Sequence, residues 1–312
     1  MSANNPLIAA AEAVAGQFSV EEIKATLQQP IIIVSAPRSG SNLLFEQMTK
    51  VAGFWSIGGE SHGIYRAFPH LRAENSDLDS GSLGESHADA ETRRLMRACF
   101  LCLLRDYQGA SYLNMAPELR PSSVTLLEKT PRNALNIPFL LEVFPAARFI
   151  YLHREPRQNI ASIIEAWTLG LQTGRFGTFQ DLPGWDRRAW CFLLPPGWQS
   201  MIGKSLPEIA AFQWSASNKV ILDNLMPLPS SRWMSVSYSD LIAAPRETLT
   251  DLCSFAGITA QDQAIPAGPL PLSRTALTPP HPDKWKKYEQ ELDDLWTDLV
   301  PTVERIEALG HS

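Results

Sequence analysis

Four short apolar runs, with helical patterns between them, most constrain the fold of this 312-residue chain. The runs cover residues 31–34, 124–127, 149–152 and 233–236. They are apolar on both faces, which is typical of strands in a parallel sheet that helices cover on both sides. Strands that alternate with helices predict an α/β fold, and the length is sufficient for a sizeable hydrophobic core.

Polar segments follow the predicted strands. The four segments read SAPRSGSN, EKTPRN, HREPRQNIAS and SYSD in chain order. Each supplies hydroxyl groups, and the first three also supply basic side chains. Ligands of open α/β sheets bind at the carboxyl ends of the strands, so we expect these segments to converge on one site.

The first of these segments has the features of an anion-binding loop. A strand, a tight turn and a helix N-terminus present free N–H groups and the positive end of the helix dipole. Gly40 allows close approach of a ligand to the backbone, and Ser39, Ser41 and Asn42 add side-chain donors. Arg38 adds a forked cation that suits phosphate. An ordinary βα turn with an N-cap serine is the alternative interpretation.

The same loop is poorly suited to Mg²⁺–ATP. A nucleotide triphosphatase loop reads G-x-x-x-x-G-K-[ST], whereas Ser41 replaces the lysine here and Asn42 replaces the hydroxyl residue. Kinase and GTPase chemistry depends on both side chains, the hydroxyl through a metal ion. A P-loop kinase is therefore disfavoured, and an inactive nucleotide-binding module remains as a further alternative.

Two segments resemble signatures of the sulfotransferase superfamily. PRSGSNLL resembles the family's loop for the 5′-phosphosulfate of 3′-phosphoadenosine-5′-phosphosulfate (PAPS). HREPRQNIAS resembles its second signature, which implies that Arg154 and Ser162 bind the 3′-phosphate. A surface ion pair between Arg154 and Glu155 is the alternative. The resemblance covers about residues 28–290 and implies a P-loop-like central parallel sheet flanked by helices.

Three further segments extend the resemblance. EKTPRN is similar to a Lys-x-Pro segment whose lysine approaches the sulfate, which implies that role for Lys129. The strand and turn around SYSD place Tyr238 either against the nucleotide or in packing. PLSRTALTPPHPDKW is similar to a late loop that family members bring over the cofactor. Its candidate residues are Ser273, Arg274, Thr275 and Lys284.

The acceptor alcohol must lose a proton, and IGGESHGIYRAF supplies two candidate bases. In the family the base is a histidine or a glutamate in a G-E-x segment. We expect Glu60 as general base, with His62 as its partner or as the base itself. Positioning and electrostatics supply the remaining catalysis, with donors from Arg38 and Lys129 on the leaving phosphate and no metal ion required. The other product is 3′-phosphoadenosine-5′-phosphate (PAP).

Residues 168–214 are expected to determine the acceptor. This segment contains four tryptophans among prolines and glycines: Trp185, Trp190, Trp198 and Trp214. A mobile lid or wall of an apolar pocket is one interpretation, and a satellite hydrophobic cluster is the other.

The pattern is also similar to sulfotransferase domains of bacterial polyketide and olefin-synthase assembly lines. That resemblance implies, as acceptor, the β-hydroxyl of an acyl chain on a carrier protein, activated for decarboxylative elimination to a terminal alkene. A peptidyl tyrosine, a lipid or a small-molecule hydroxyl are the alternatives. A carrier protein's acidity and its phosphopantetheine predict a basic rim, for which the candidates are Arg66, Arg72, Arg175, Arg187 and Arg188.

Composition narrows the remaining possibilities. A net charge of −6 and a pI of about 5.6 give no indication of nucleic-acid binding. No run of 18 apolar residues predicts a membrane span, and the first residues lack the basic region of a signal peptide. Cys99 and Cys102 lie in an apolar helical pattern, which favours buried thiols over a redox or zinc pair. We expect a cytoplasmic protein with a single domain over residues 1–312.

Overall fold

The computed structural model of the chain describes residues 5–72, 79–259, 268–274, 277 and 281–311. The α-helices are α1 Pro6–Gln17, α2 Val20–Thr26, α3 Ser41–Met48, α4 His62–Ala67, α5 Ala90–Leu103, α6 Ile137–Val143, α7 Pro156–Thr173, α8 Leu206–Leu225, α9 Tyr238–Ala243, α10 Pro245–Phe255, α11 Glu289–Asp294 and α12 Trp296–Glu307. The strands are β1 Ile31–Val34, β2 Phe54–Trp55, β3 Thr125–Lys129, β4 Arg148–His153, β5 Gly177–Phe179, β6 Trp190–Cys191 and β7 Trp233–Ser237.

Five of these strands form a parallel sheet in the order β2-β3-β1-β4-β7. The register places Ile32 of β1 opposite Glu128 of β3 and Phe149 of β4. The predicted α/β fold with a central parallel sheet is confirmed. Sequence reasoning missed β2, because a two-residue edge strand is too short to give an apolar run.

Both faces of the sheet are buried, which explains why the strand sequences do not alternate. Ile31 and Ile33 join a core cluster on one face, whereas Ile32 and Val34 join the larger cluster on the other. Adjacent side chains of a strand point to opposite faces, so each run must be apolar throughout. Helices on both sides leave only the strand ends available for polar chemistry.

The segment between α7 and α8 contains the antiparallel pair β5–β6 and a cluster of tryptophans. The Trp190 ring lies 5.2 Å from that of Trp167, 4.9 Å from that of Trp185 and 5.9 Å from that of Trp198. Trp190 and Trp214 are fully buried. The tryptophans therefore form a hydrophobic cluster, and movement of residues 168–214 as a lid stays a prediction.

The cysteine pair lies on α5, where Cys99 is buried and Cys102 is half-buried, and both are free thiols. Among the described residues, none of the helices combines the length and the apolar character that a bilayer crossing requires.

Candidate active site

A cavity of about 690 Å³ lies at the carboxyl ends of the central strands. It brings together most of the residues predicted from the four polar segments and the late loop. The predicted residues that line it are Arg38, Gly40, Ser41, Asn42, Glu60, His62, Arg154, Ser162, Tyr238, Ser273 and Lys284. Thr275 lies outside the described residues.

The loop between β1 and α3 needs glycine at position 40. Gly40 is the N-cap of α3 and has a φ of 100°, a conformation that other residues adopt only with strain. A Cβ atom there would also lie 2.4 Å from Cδ2 of Tyr238. Tyr238, at the start of α9, therefore packs directly on the loop backbone, and the close packing fixes the turn.

A buried amide connects this loop to α7. Asn159 is fully buried, and its Nδ2 donates to the carbonyl of Pro37 at 2.8 Å. The Ser39 hydroxyl lies 2.9 Å from Asn159 Oδ1 and 2.9 Å from the Ala36 carbonyl. Because Ser39 is fully buried, the expected side-chain donor at this position is not available to a ligand. Ser39 and Asn159 instead hold the loop in shape, a role that the sequence did not reveal for Asn159.

Two arginines meet where the loop approaches the end of β4. Arg38 has a φ of 64°, and Arg154 Nη1 donates to its carbonyl at 3.4 Å. Arg154 Nη2 donates to Gln158 at 3.3 Å, and its guanidinium lies 4.8 Å from the centre of the Tyr238 ring. Glu155 accepts from the N–H groups of Arg157 and Gln158 at the start of α7, and so acts as a helix cap rather than an ion-pair partner.

This arrangement favours an anionic ligand. Within the described part of the chain, the buried Nε atoms of Arg38 and Arg154 have no hydrogen-bond partner. Burial lowers the pKa of Arg38, and the positive charges of Arg154 and Arg175 lower it further. Burial also lowers the pKa of Arg154. An anion between the two arginines would restore hydrogen bonds and relieve the repulsion. The donors therefore fit an anionic ligand such as a phosphate group.

The candidate bases form one network with Lys129. Lys129, at the end of β3, is almost fully buried behind the cavity surface, and its Nζ contacts Glu60 and Asn42. His62 Nε2 lies 3.1 Å from the other carboxylate oxygen of Glu60. Burial raises the pKa of Glu60, but the hydrogen bond from His62 and the charge of Lys129 outweigh it and lower the pKa to about 2. Glu60 is therefore a firmly ionised carboxylate.

Buried hydrogen bonds hold the backbone between the two candidate bases, Glu60 and His62. Ser61 donates its N–H to Thr130 at 2.7 Å and its hydroxyl to Glu128 at 2.6 Å. Glu128 is 1% exposed and also accepts from Asn133 Nδ2 at 2.9 Å. This buried anchor orients the segment 60–62 toward the cavity. Sequence reasoning missed it, although the acidic residue directly before Lys129 at a strand end was a signal.

The late loop contributes basic side chains that already have acidic neighbours. Lys284 Nζ lies 3.0 Å from Glu165 Oε2, and Lys287 contacts the same carboxylate. Ser273 Oγ lies 3.3 Å from Glu46, and Arg274 lies 3.4 Å from it. Ser273 and Lys284 line the cavity, and their contact with a cofactor stays a prediction.

Part of the cavity wall is apolar and lies beside Arg38, whose guanidinium is 5.7 Å from the centre of the Phe176 ring. Phe176 and Phe192 stack with their ring centres 5.1 Å apart, and both have positive φ values, 67° and 64°. Leu193 and Leu194 continue this wall. Strained backbone at non-glycine residues is concentrated at functional sites, and here two such residues form one contact. The tryptophan cluster lies behind this wall, so the segment 168–214 is both a hydrophobic cluster and a lining of the cavity.

The comparisons with known proteins agree with this geometry. A model described as "Sulfotransferase family" matches residues 30–193, just over half of the chain. The chain belongs to the sulfotransferase family. The match spans the β1–α3 loop, the Glu60–His62 segment, Lys129 and the Arg154 segment, whereas Tyr238, Ser273 and Lys284 lie outside it. A search of curated proteins gives no match.

Several solved structures are similar to the chain at low identity. A sulfotransferase domain from the Synechococcus PCC 7002 olefin synthase is 19% identical, with 92% of this chain and 96% of that chain covered and a TM-score of 0.47. A sulfotransferase domain from the curacin biosynthetic pathway is 22% identical, with 77% of each chain covered and a TM-score of 0.43. A mouse sulfotransferase complexed with PAP is 11% identical, with 92% and 90% covered and a TM-score of 0.43. The assignment of the chain to the sulfotransferase family rests on the family-model match to residues 30–193.

Proposed function

We propose that this sulfotransferase transfers the sulfuryl group of PAPS to an acceptor hydroxyl. One observation carries the proposal: Arg38 and Arg154 follow neighbouring strands and meet in one cavity, and their buried Nε atoms have no hydrogen-bond partner among the described residues. A nucleotide with phosphates at both its 5′ and 3′ positions matches that pair of cations. The Arg38 loop would hold the 5′ end, and Arg154 with Ser162 would hold the 3′-phosphate.

The groups around the β1–α3 loop suit the chemistry of sulfuryl transfer. PAPS supplies an activated sulfuryl group. An S–O bond forms to the acceptor oxygen, the S–O bond to the 5′-phosphate breaks, and the acceptor proton passes to a base. Arg38 and the N-terminus of α3 would stabilise the negative charge that the leaving phosphate gains. Lys129, beside Asn42 at the same loop, would add to that stabilisation. A metal ion is not needed for these steps.

The contacts of Glu60 favour His62 over Glu60 as the general base. Glu60 was the first candidate, but a carboxylate whose pKa is about 2 is a weak proton acceptor at neutral pH. His62 contacts Glu60 through Nε2, which leaves Nδ1 to accept a proton in the neutral tautomer that donates to Glu60. We therefore assign His62 as the general base, with Glu60 as the group that orients it and stabilises its protonated form.

The acceptor that we favour is the β-hydroxyl of an acyl chain carried by a carrier protein. The wall of Phe176, Phe192, Leu193 and Leu194 suits an alkyl chain. Sulfation would activate that hydroxyl as a leaving group for a later decarboxylative elimination.

The experiment offers PAPS with a 3-hydroxyacyl carrier protein, a tyrosyl peptide, a phenol and a long-chain alcohol in turn, and identifies products by mass spectrometry. We expect a mass increase of one sulfuryl group on the hydroxyacyl carrier protein and release of PAP. Calorimetry with PAP alone tests the nucleotide site independently. Absence of PAP binding would overturn the proposed function, whereas sulfation of only the peptide or phenol would overturn the choice of acceptor.

A further inference from the structure

A buried acidic side chain contacts the segment between the two candidate bases, and the transfer chemistry does not use it. Glu128 is 1% exposed, lies outside the cavity lining and comes directly before Lys129 at the end of β3. Its partner in the register of the sheet is Ile32 of β1. A carboxyl group in such surroundings is unfavourable unless hydrogen bonds replace the lost water. The partners of Glu128 therefore indicate what it is there to do.

The donors of a small buried network all lead to one oxygen atom of Glu128. Its Oε1 accepts from the Ser61 hydroxyl at 2.6 Å and from Asn133 Nδ2 at 2.9 Å, and the Tyr65 hydroxyl donates to Asn133 Oδ1 at 3.0 Å. The Thr130 hydroxyl accepts the Ser61 N–H at 2.7 Å and lies 2.9 Å from Ser61 Oγ. Because the single hydroxyl proton of Ser61 points to Glu128, Thr130 donates to Ser61 Oγ. Every donor is thus aligned toward Oε1, and such alignment strengthens each bond.

The second carboxyl oxygen of Glu128 is not part of this network. Oε2 is buried and has no hydrogen-bond partner among the described residues. Glu128→Gln would keep a carbonyl oxygen as the acceptor for both bonds, because an amide and a carboxyl group have the same shape. Glu128→Leu would instead leave the Ser61 hydroxyl and the Asn133 amide without an acceptor. The network therefore uses Glu128 as an acceptor atom rather than as a charge.

The network joins the two elements that carry the reacting groups. Ser61 separates Glu60 from His62, the first residue of α4. Glu128 directly precedes Lys129, whose Nζ contacts Glu60. The start of α4 is thus tied to the end of β3 inside the protein as well as at the cavity surface. Such ties matter for turnover, because a displacement of about 1 Å in a reacting group reduces the rate by about 10².

We propose that Glu128 is a positioning residue: through the hydrogen bond that its Oε1 accepts from Ser61, it holds His62 at a fixed place relative to Lys129. This inference rests on the proposed function and deepens it, because it assigns the residue that places the base without touching the acceptor or the nucleotide. It follows that kcat depends on Glu128, whereas PAP affinity does not.

The test measures kcat and PAP affinity in three variants. Glu128→Leu should lower kcat by about 10- to 100-fold, and Ser61→Ala by about tenfold. Glu128→Gln should retain most of the wild-type kcat, and all three should bind PAP as wild type does. The rate is PAP release from PAPS with a 3-hydroxydecanoyl carrier protein as acceptor. If wild type sulfates the tyrosyl peptide, the phenol or the long-chain alcohol instead, that acceptor is used.

A matched control separates positioning from a general loss of stability. Tyr151→Phe removes a hydroxyl as buried as that of Ser61; it donates to Asn218 at 2.8 Å, and neither residue lines the cavity. This variant should keep the wild-type kcat. Backbone hydrogen exchange over residues 60–67 needs no turnover. It should be faster in Glu128→Leu and Ser61→Ala than in wild type and Glu128→Gln.

Three outcomes would overturn the inference: a wild-type kcat in Ser61→Ala, equal slowing by Glu128→Gln and Glu128→Leu, or equal slowing by Ser61→Ala and Tyr151→Phe. The second would show that the charge of Glu128 matters, and the third that stability alone does. If Glu128→Leu does not fold, Ser61→Ala and Glu128→Gln decide. PAP binding by wild type would stand in each case, whereas its loss in wild type would overturn the proposed function.

Discussion

The two ends of the cavity are made in different ways. The nucleotide end consists of turns that directly follow strands of the sheet, with Arg38 after β1, Lys129 in β3 and Arg154 after β4. The proposed acceptor wall comes from residues 168–214, approaches Arg38 through the Phe176 ring and packs with a tryptophan cluster outside the five-stranded sheet. Sheet topology fixes the positions of the strand-end turns, and side-chain packing fixes the wall. A cofactor site of this kind can stay constant while the acceptor wall changes.

The largest expected effect on turnover is that of replacing His62, the proposed base. His62→Asn should reduce kcat by about 10²–10⁴, because the acceptor proton loses its base, while PAP affinity stays within twofold. Glu60 should not replace the lost base, because its pKa of about 2 makes it a weak proton acceptor at neutral pH. Steady-state rates and PAP calorimetry are the measurements.

Two variants complete this test. His70→Asn removes an exposed imidazole that contacts Thr92 outside the cavity, and should keep both the rate and the PAP affinity. Glu60→Gln should slow turnover less than His62→Asn does, because His62 remains as the base. If His62→Asn kept most of the rate, the base would not be His62.

The convergence of the strand-end segments on one cavity was largely predictable from sequence, for a physical reason. Parallel strands buried on both faces give apolar runs, and their carboxyl ends converge whatever the details of packing. Arg38, Gly40 and Arg154 were therefore placed at one site before any coordinates. The exceptions were side chains whose direction depends on contacts made far along the chain. Ser39 turns inward to Asn159, 120 residues away, and no local pattern indicates that.

The wall that residues 168–214 form was much less predictable from sequence than the strand-end segments. The tryptophans of residues 168–214 indicated an apolar unit, but not that Trp190 would be buried inside while Phe176 and Phe192 face the cavity. The positive φ values of the two phenylalanines are equally invisible, because they are imposed by tertiary packing rather than by glycine. The choice between the two candidate bases also needed the structure, since the contacts of Glu60 with His62 and Lys129 lower the pKa of Glu60.

The second prediction concerns substitutions of Trp190, which disturb the Phe176–Phe192 wall and leave Arg38 and Arg154 unchanged. Trp190 is fully buried and donates its Nε1–H to the Leu193 carbonyl at 2.8 Å. Trp190→Ala should lower the free energy of unfolding by about 3–5 kcal/mol, and Trp190→Phe by less. Urea titration measures both. In Trp190→Phe the acceptor KM should rise, while PAP affinity is retained. An equal loss of PAP affinity would show that the two ends form one unit and not two.

The smallest of the three effects tests the nucleotide end alone. Arg154→Ala should raise the Kd for PAP by about 10- to 100-fold, because a buried charged hydrogen bond to phosphate contributes about 1.5–3 kcal/mol. Calorimetry measures this without an acceptor. Arg148→Ala is the matched control, because Arg148 begins the same strand at its opposite end and bonds to the Ser231 carbonyl. PAP affinity should be unchanged in that control.

Comparing the PAP affinities of Arg154→Ala and Arg148→Ala decides more than either affinity alone. If both arginines weaken PAP binding equally, the effect is a general loss of positive charge, and the strand-end assignment is wrong. If neither does, the 3′-phosphate lies elsewhere. A loss confined to Arg154→Ala means that position in the sheet, rather than net charge, selects the nucleotide. The acceptor KM, measured at saturating PAPS, should then be the same in all three proteins, because the wall does not depend on that strand end.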